Sequence, residues 1–108
     1  MNIRVIARHC TVPETVILHA QRRVEELRRF DPRLLAADIA FEHDGRLYRV
    51  DVLLKVARMP DVFARGDAED LGTAFHRAVQ RLRRQLVRGR QKMRARRAAP
   101  AHAAPAGN

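Results

Sequence analysis

Between Ala37 and Val56 the chain alternates apolar and polar residues along two runs separated by Asp44-Gly45, and this pattern constrains the fold more than any other. In the first run Ala37, Ile39 and Phe41 stand against Asp38, Ala40 and Glu42. In the second, Tyr48, Val50, Val52, Leu54 and Val56 take one side, and Arg49, Asp51 and Lys55 the other. Successive strand side chains point to opposite faces, so both runs predict half-buried strands. Asp-Gly between two such runs signals a tight hairpin, because glycine reaches the positive φ that the turn needs.

The flanks add two helices and two more strands. At the N-terminus Ile3, Val5 and Ala7 alternate with Arg4 and Arg8, a third half-buried strand. Thr11-Val12-Pro13-Glu14 has capping-box spacing, and Pro13 is tolerated in a first helical turn. Beyond it Val16, Ala20, Val24 and Leu27 recur at helical spacing among Arg22, Arg23, Glu25 and Glu26, up to a stop at Phe30-Asp31-Pro32. Met59-Pro60-Asp61 breaks the chain before a short fourth strand, Val62 to Gly66. Asp67 or Asp70 caps a last helix whose apolar stripe is Leu71, Ala74, Phe75, Ala78, Val79, Leu82 and Leu86. The predicted class is α+β in the order β-α-β-β-β-α. The helical crossover makes the first two strands parallel, and hairpins make the rest antiparallel. Two amphipathic helices need an apolar surface, and one face of the four-stranded mixed sheet supplies it. The expected domain spans residues 1–95; residues 96–108, with AAPAHAAPAGN lacking apolar periodicity, form an expected disordered tail.

Charge is where function becomes legible. The net charge is +10, and ten of the 22 Lys/Arg lie between His76 and Arg97 without one acid. The remaining twelve face twelve Asp/Glu, so the entire excess sits in one block near the C-terminus. Such a block points to a polyanion, since clustered cations gain affinity by releasing phosphate counterions. Apolar content of 46% is too high for a wholly disordered basic chain, and 5% aromatic residues without Trp exclude base stacking as the main mode of binding. A single Cys10 excludes an internal disulfide and fits a reducing cytosol. No run resembles a membrane span or signal peptide, and the expected location is cytoplasmic.

At about 100° per residue, Arg77, Arg81, Arg84 and Arg88 fall within a narrow arc of the last helix. An ordinary solvated face would mix signs, because acids at i,i+4 stabilise a helix; these arginines lack such partners. Arginine's planar fork grips phosphate bidentately, which an ammonium does not. Gly89 is expected to fray or end the helix and leave Arg90, Lys92, Arg94, Arg96 and Arg97 on a mobile extension that orders on RNA. Arg23 and Arg29 widen the patch, while Arg22 pairs with Glu26 and Arg28 with Glu25. His9-Cys10 and the scattered His19, His43, His76 and His102 lack metal-ligand spacing, so no metal or cofactor is expected. Asp67, Glu69 and Asp70 suit a helix N-terminus. No P-loop, GxGxxG or GxSxG occurs, which argues against an enzyme.

Glu69-Asp70, Ala74, Ala78, Arg81-Leu82, Arg84-Gln85-Leu86 and Arg88-x-Arg90-x-Lys92 together resemble the signature of the ribosome hibernation-promoting factors. That family includes the ribosome-associated inhibitor called protein Y and was once labelled sigma-54 modulation protein. The likeness spans roughly the first 95 residues and is to the short form, without the second domain that long members use to pair ribosomes. It implies binding to the small ribosomal subunit and its 16S rRNA, in the channel of messenger and A- and P-site transfer RNA. Carried over by position, Arg23, Arg81, Arg84, Arg88, Arg90, Lys92 and Arg94 contact RNA, and Arg29 and Arg77 adjoin them. Glu26 stands where lysine is common, Gly72 replaces a tyrosine and His76 an aspartate. The protein is expected to be monomeric away from the ribosome, with no small-molecule substrate. Two other readings use the same charge: a general double-stranded RNA or DNA binder, and a regulator that binds an acidic protein surface.

Overall fold

The protein is described from a computed structural model covering residues 1–98. The elements are β1 (Asn2–Arg8), α1 (Glu14–Glu26) with a 3₁₀ turn (Leu27–Arg29), β2 (Leu34–Asp44), β3 (Leu47–Val56), β4 (Val62–Ala68) and α2 (Leu71–Ala98). Strands lie side by side in chain order; β1 is parallel to β2, and the other pairs are antiparallel. Both helices cover one face. The α+β class and the β-α-β-β-β-α order are those the alternation predicts.

Register follows from the period of two. Ile3, Val5 and Ala7 pair with Ala37, Ile39 and Phe41, so the apolar sides of β1 and β2 share a face. Ile39, Phe41, Val50, Val52 and Leu54 are fully buried beneath the helices, where the Phe41 and Phe75 rings stack 6.4 Å apart. On the open face Arg49 and Asp67 stand directly opposite, as do Asp51 and Arg65, and both pairs bond at 3.0 and 2.7 Å. Cross-strand ion pairs of this kind steady the register rather than drive folding. At the hairpin Asp44 pairs with Leu47, so the turn is Gly45-Arg46, and Gly45 has φ +64°. Glycine at the first central position, with positive φ there and not at the next residue, is the type II′ pattern.

Helix ends depart from expectation in two places. The capping box is not formed: Pro13 is the N-cap, without a side-chain cap bond, and its carbonyl accepts from Val16 and Ile17. Thr11 therefore lies two residues upstream of the cap, out of reach of the first free N–H groups. Asp70 does cap α2, accepting the Thr73 N–H at 2.8 Å on one oxygen and the Thr73 hydroxyl at 2.8 Å on the other. Those bonds to the ionised carboxylate, the backbone one foremost, hold the Asp70 pKa below its ordinary value. Nor does Gly89 end α2, which continues to Ala98. A Cβ at Gly89 would lie 3.1 Å from Met59, and the next residue, Arg90, donates to the Phe30 carbonyl at 2.7 Å. The glycine gives clearance and the arginine ties the helix down. Residues 96–98 thus continue the helix, and the rest of the expected tail lies outside the described residues.

α2 is placed by close contact with β4. A Cβ on Gly66 would collide with the Ala74 carbonyl oxygen and approach the Ala78 nitrogen to 2.7 Å. Ala74 and Ala78 are fully buried, so three small residues let the helix backbone ride on the strand. Ala74, Phe75, Ala78, Val79, Leu82 and Leu86 are buried as the stripe predicts, with Leu71 partly covered. Leu86 is the last of them. From there the helix overshoots the sheet, and the molecule is elongated, 55 × 26 × 16 Å.

Candidate nucleic-acid interface

The line of arginines on α2 divides among three surfaces. β4 is an edge strand, and its outward carbonyls have no neighbouring strand to bond. Arg77 donates to the Asp67 carbonyl at 2.6 Å, Arg81 to that of Arg65 at 2.5 Å, and Gln85 to that of Phe63 at 2.8 Å. Four residues of helix rise ~6.0 Å and two of strand ~6.6 Å, so the two spacings match. Arg77 and Arg81, expected to project freely, therefore each give one donor to the strand edge. Their side chains remain exposed with further N–H groups outward. Gln85 is the third rung.

Arg84 and Arg88 occupy the crest of α2, exposed beside Gln80, Val87 and Gln91. Among the described residues no acid pairs with either. Lys92 and Arg94 are exposed on the overshoot. On the flank facing α1 lie Arg83 and Arg90. Arg90 is half-buried and tethers α2 to Phe30, so it holds the fold together rather than hanging on a mobile extension. The Arg83 guanidinium sits 4.8 Å from the centroid of the Phe30 ring, a cation–π contact.

On α1 the pairing differs from expectation by one residue: Arg23, not Arg22, lies 3.8 Å from Glu26, while Arg28 and Glu25 pair at 3.8 Å as expected. Helical geometry favours i,i+3 and i,i+4 equally, and the i,i+3 choice leaves Arg22 exposed. Arg29 is exposed in the 3₁₀ turn. Below this turn the sequence reading missed Asp31, 1% exposed, which grips Arg33. Arg33 donates its backbone N–H at 3.0 Å, Nε at 2.9 Å and Nη2 at 2.8 Å to the two carboxylate oxygens, and Nη2 also reaches Met59 Sδ. The Arg33 side-chain bonds hold Asp31 below the usual carboxylate range despite its burial. No local pattern marks it, because burial is decided by how the chain packs and not by the residue's neighbours in sequence.

At His9-Cys10 the chain turns away from β1. The strand ends at Arg8, His9 turns the chain at φ +56°, and the half-buried Cys10 thiol points to the Phe41 carbonyl at 3.7 Å. Among the described residues no three His, Cys, Asp or Glu side chains converge as metal ligands would, and no helix is long and apolar enough to cross a membrane.

Charge is graded along the molecule. The end bearing the β2–β3 hairpin and the start of α2 holds Glu42, Asp44, Asp67, Glu69 and Asp70 against Arg8, Arg46, Arg49 and Arg77. The opposite end, where α2 passes Met59 and runs on, carries Arg84, Arg88, Arg90, Lys92 and Arg94.

A small α+β domain with a basic helix laid across one face of a four-stranded sheet is thus the class of protein in hand. The chain belongs to the Sigma 54 modulation protein / S30EA ribosomal protein family, whose model matches residues 3–94. Among solved structures it is similar to the N-terminal domain of protein Y from Thermus thermophilus, with TM-score 0.74 and 25% identity, covering 82% of this chain and 98% of that one. A ribosomal subunit interface protein from Coxiella burnetii has the same fold, with TM-score 0.75 and 15% identity over 84% of this chain and 99% of that one. No curated protein matches the chain in sequence.

Proposed function

We propose that this protein is a non-enzymatic ribosome hibernation factor that binds the small ribosomal subunit. In this reading the crest and overshoot of α2, with Arg84, Arg88, Lys92 and Arg94, lie against 16S rRNA. The bound domain occupies the messenger and A/P-site transfer RNA channel and keeps idle ribosomes out of translation. Membership of the S30EA family over residues 3–94 is the observation that carries it. The likeness to protein Y of Thermus thermophilus supports it, as do the crest arginines, which have no acidic partner among the described residues. Inhibition by occlusion needs only affinity and bulk, so no reacting group is called for; recognition is of phosphates and shape. The protein then resides with ribosomes in the cytoplasm, as a monomer when free.

Reversing Arg84 and Arg88 to Glu is expected to abolish cosedimentation with small subunits in a sucrose gradient while leaving the thermal melt unchanged. Arg81 is left out of this pair, because a carboxylate there would face the Arg65 carbonyl it now caps. Retained cosedimentation would reject the crest as the contact. Full displacement of the protein from subunits by free duplex RNA at equal phosphate concentration would favour a general RNA binder instead.

A further inference from the structure

We propose that the cleft between α1 and α2 is a second anion site, built to hold one phosphate of an RNA backbone, with Arg83 as its principal ligand. The inference deepens the ribosomal reading and rests on it for the identity of the RNA. The cleft, about 180 Å³, is lined by Arg23, Glu26, Leu27, Arg29, Phe30, Val79 and Arg83. That is well below the ~300 Å³ at which small-molecule pockets begin, so a single group fits and a cofactor does not.

Its floor is apolar: Leu27 and Val79 are buried, and Phe30 is packed against the core. Its rim carries three guanidiniums against one carboxylate, and Glu26 is engaged with Arg23 at 3.8 Å. Arg29 and Arg23 belong to the last turns of their helical segment, where cations complement the helix dipole without any ligand. Arg83 comes from the other helix and has no such reason to be there.

Arg83 is presented in a particular way. Its guanidinium lies over the Phe30 ring, and Phe30 is itself fixed through its carbonyl by Arg90. A guanidinium stacked on an aromatic face keeps its in-plane N–H fork free, and that fork matches two phosphate oxygens. Phe30 is thus a positioning residue that acts through Arg83. Arg29 across the cleft supplies a second charge to the same anion. The site lies on the α1 flank of α2, apart from the crest, so a strand of RNA held at both is gripped from two sides of one helix.

The test uses the full chain, labelled with nitrogen-15 and titrated with an eight-nucleotide oligouridylate and, separately, with inorganic phosphate at equal phosphate concentration. The Nε–H signals of Arg83 and Arg29 are expected to shift with the oligonucleotide at concentrations where inorganic phosphate leaves them in place. Equal shifts with inorganic phosphate would overturn the assignment to an RNA backbone. Against small subunits, Arg83→Lys keeps the charge but loses the fork, and is expected to weaken binding roughly tenfold with an unchanged thermal melt. Arg83→Gln is expected to lower the slope of log affinity against log salt by roughly one. Phe30→Leu, which removes the platform and leaves every charge, is expected to weaken binding in the same direction as Arg83→Lys. Wild-type affinity in Arg83→Lys for both subunits and oligonucleotide rejects the cleft. A wild-type chain that ignores subunits rejects the ribosomal reading alone, since the oligonucleotide titration still decides the cleft.

Discussion

Asp31 is a buried carboxylate kept ionised by Arg33, and its environment fixes how the protein responds to acid. Its folded pKa is lowered, first by the Arg33 side-chain bonds, relative to about 4 in the unfolded chain. The stability it contributes is therefore fully present above about pH 4 and is lost as pH falls through the folded value. Asp31→Asn is expected to cost about 1–3 kcal/mol at pH 7, the cost of weakening charged hydrogen bonds at a buried group. Urea unfolding of both proteins should show that gap narrowing below pH 4; a gap of the same size at pH 3 would contradict the ionised state. The Asp31–Arg33 spacing is visible in the sequence, but its burial is not. Nor is the reach of its partner Arg33 to Met59, 26 residues further along the chain.

The elements were legible in proportion to how far their signal is local. A period of two in Leu47–Val56 specifies a strand, a face and a register together, and all three are present. The stripe from Ala74 to Leu86 specifies the buried side of α2 in the same way. Caps and ends failed where one backbone detail outweighs a pattern: Pro13 became the N-cap, and Gly89 was bridged by the tie from Arg90 to Phe30. The arginine line was expected to project as one arc, but a helical wheel does not show the edge carbonyls of β4, to which Arg77 and Arg81 turn. Nor does it bring Arg83 to Phe30, a contact across 53 positions. The union of α2 and β4 turns on Gly66, where any side chain meets the backbone of Ala74 and Ala78. Gly66→Ala is expected to destabilise the domain by about 2–3 kcal/mol through displacement of the helix. Thermal unfolding checks it; a melt within a degree of wild type would mean that α2 does not rest on the strand as described.

For the whole molecule, what matters is where the +10 resides rather than its size. One end is close to electrical balance and the other is strongly cationic, so the molecule has a direction as well as a charge. In the field of a polyanion such a body feels a torque before it feels contact, and it turns its cationic end forward during diffusion. Electrostatic preorientation of this kind raises association rates and leaves dissociation to short-range contacts. Two variants with identical net charge separate direction from amount: Arg94→Gln at the overshooting end, and Arg46→Gln at the hairpin tip. Stopped-flow association with small subunits at low salt is expected to slow several-fold more for Arg94→Gln than for Arg46→Gln. That difference is expected to vanish as the Debye length shrinks to about 3 Å near 1 M salt. Equal slowing by both would mean that the charge acts only as a sum. The overshoot of α2 beyond Leu86, where none of the described side chains is buried, then acts as a compass needle: it selects, from all the orientations in which the domain can collide with its target, the few that lead to binding.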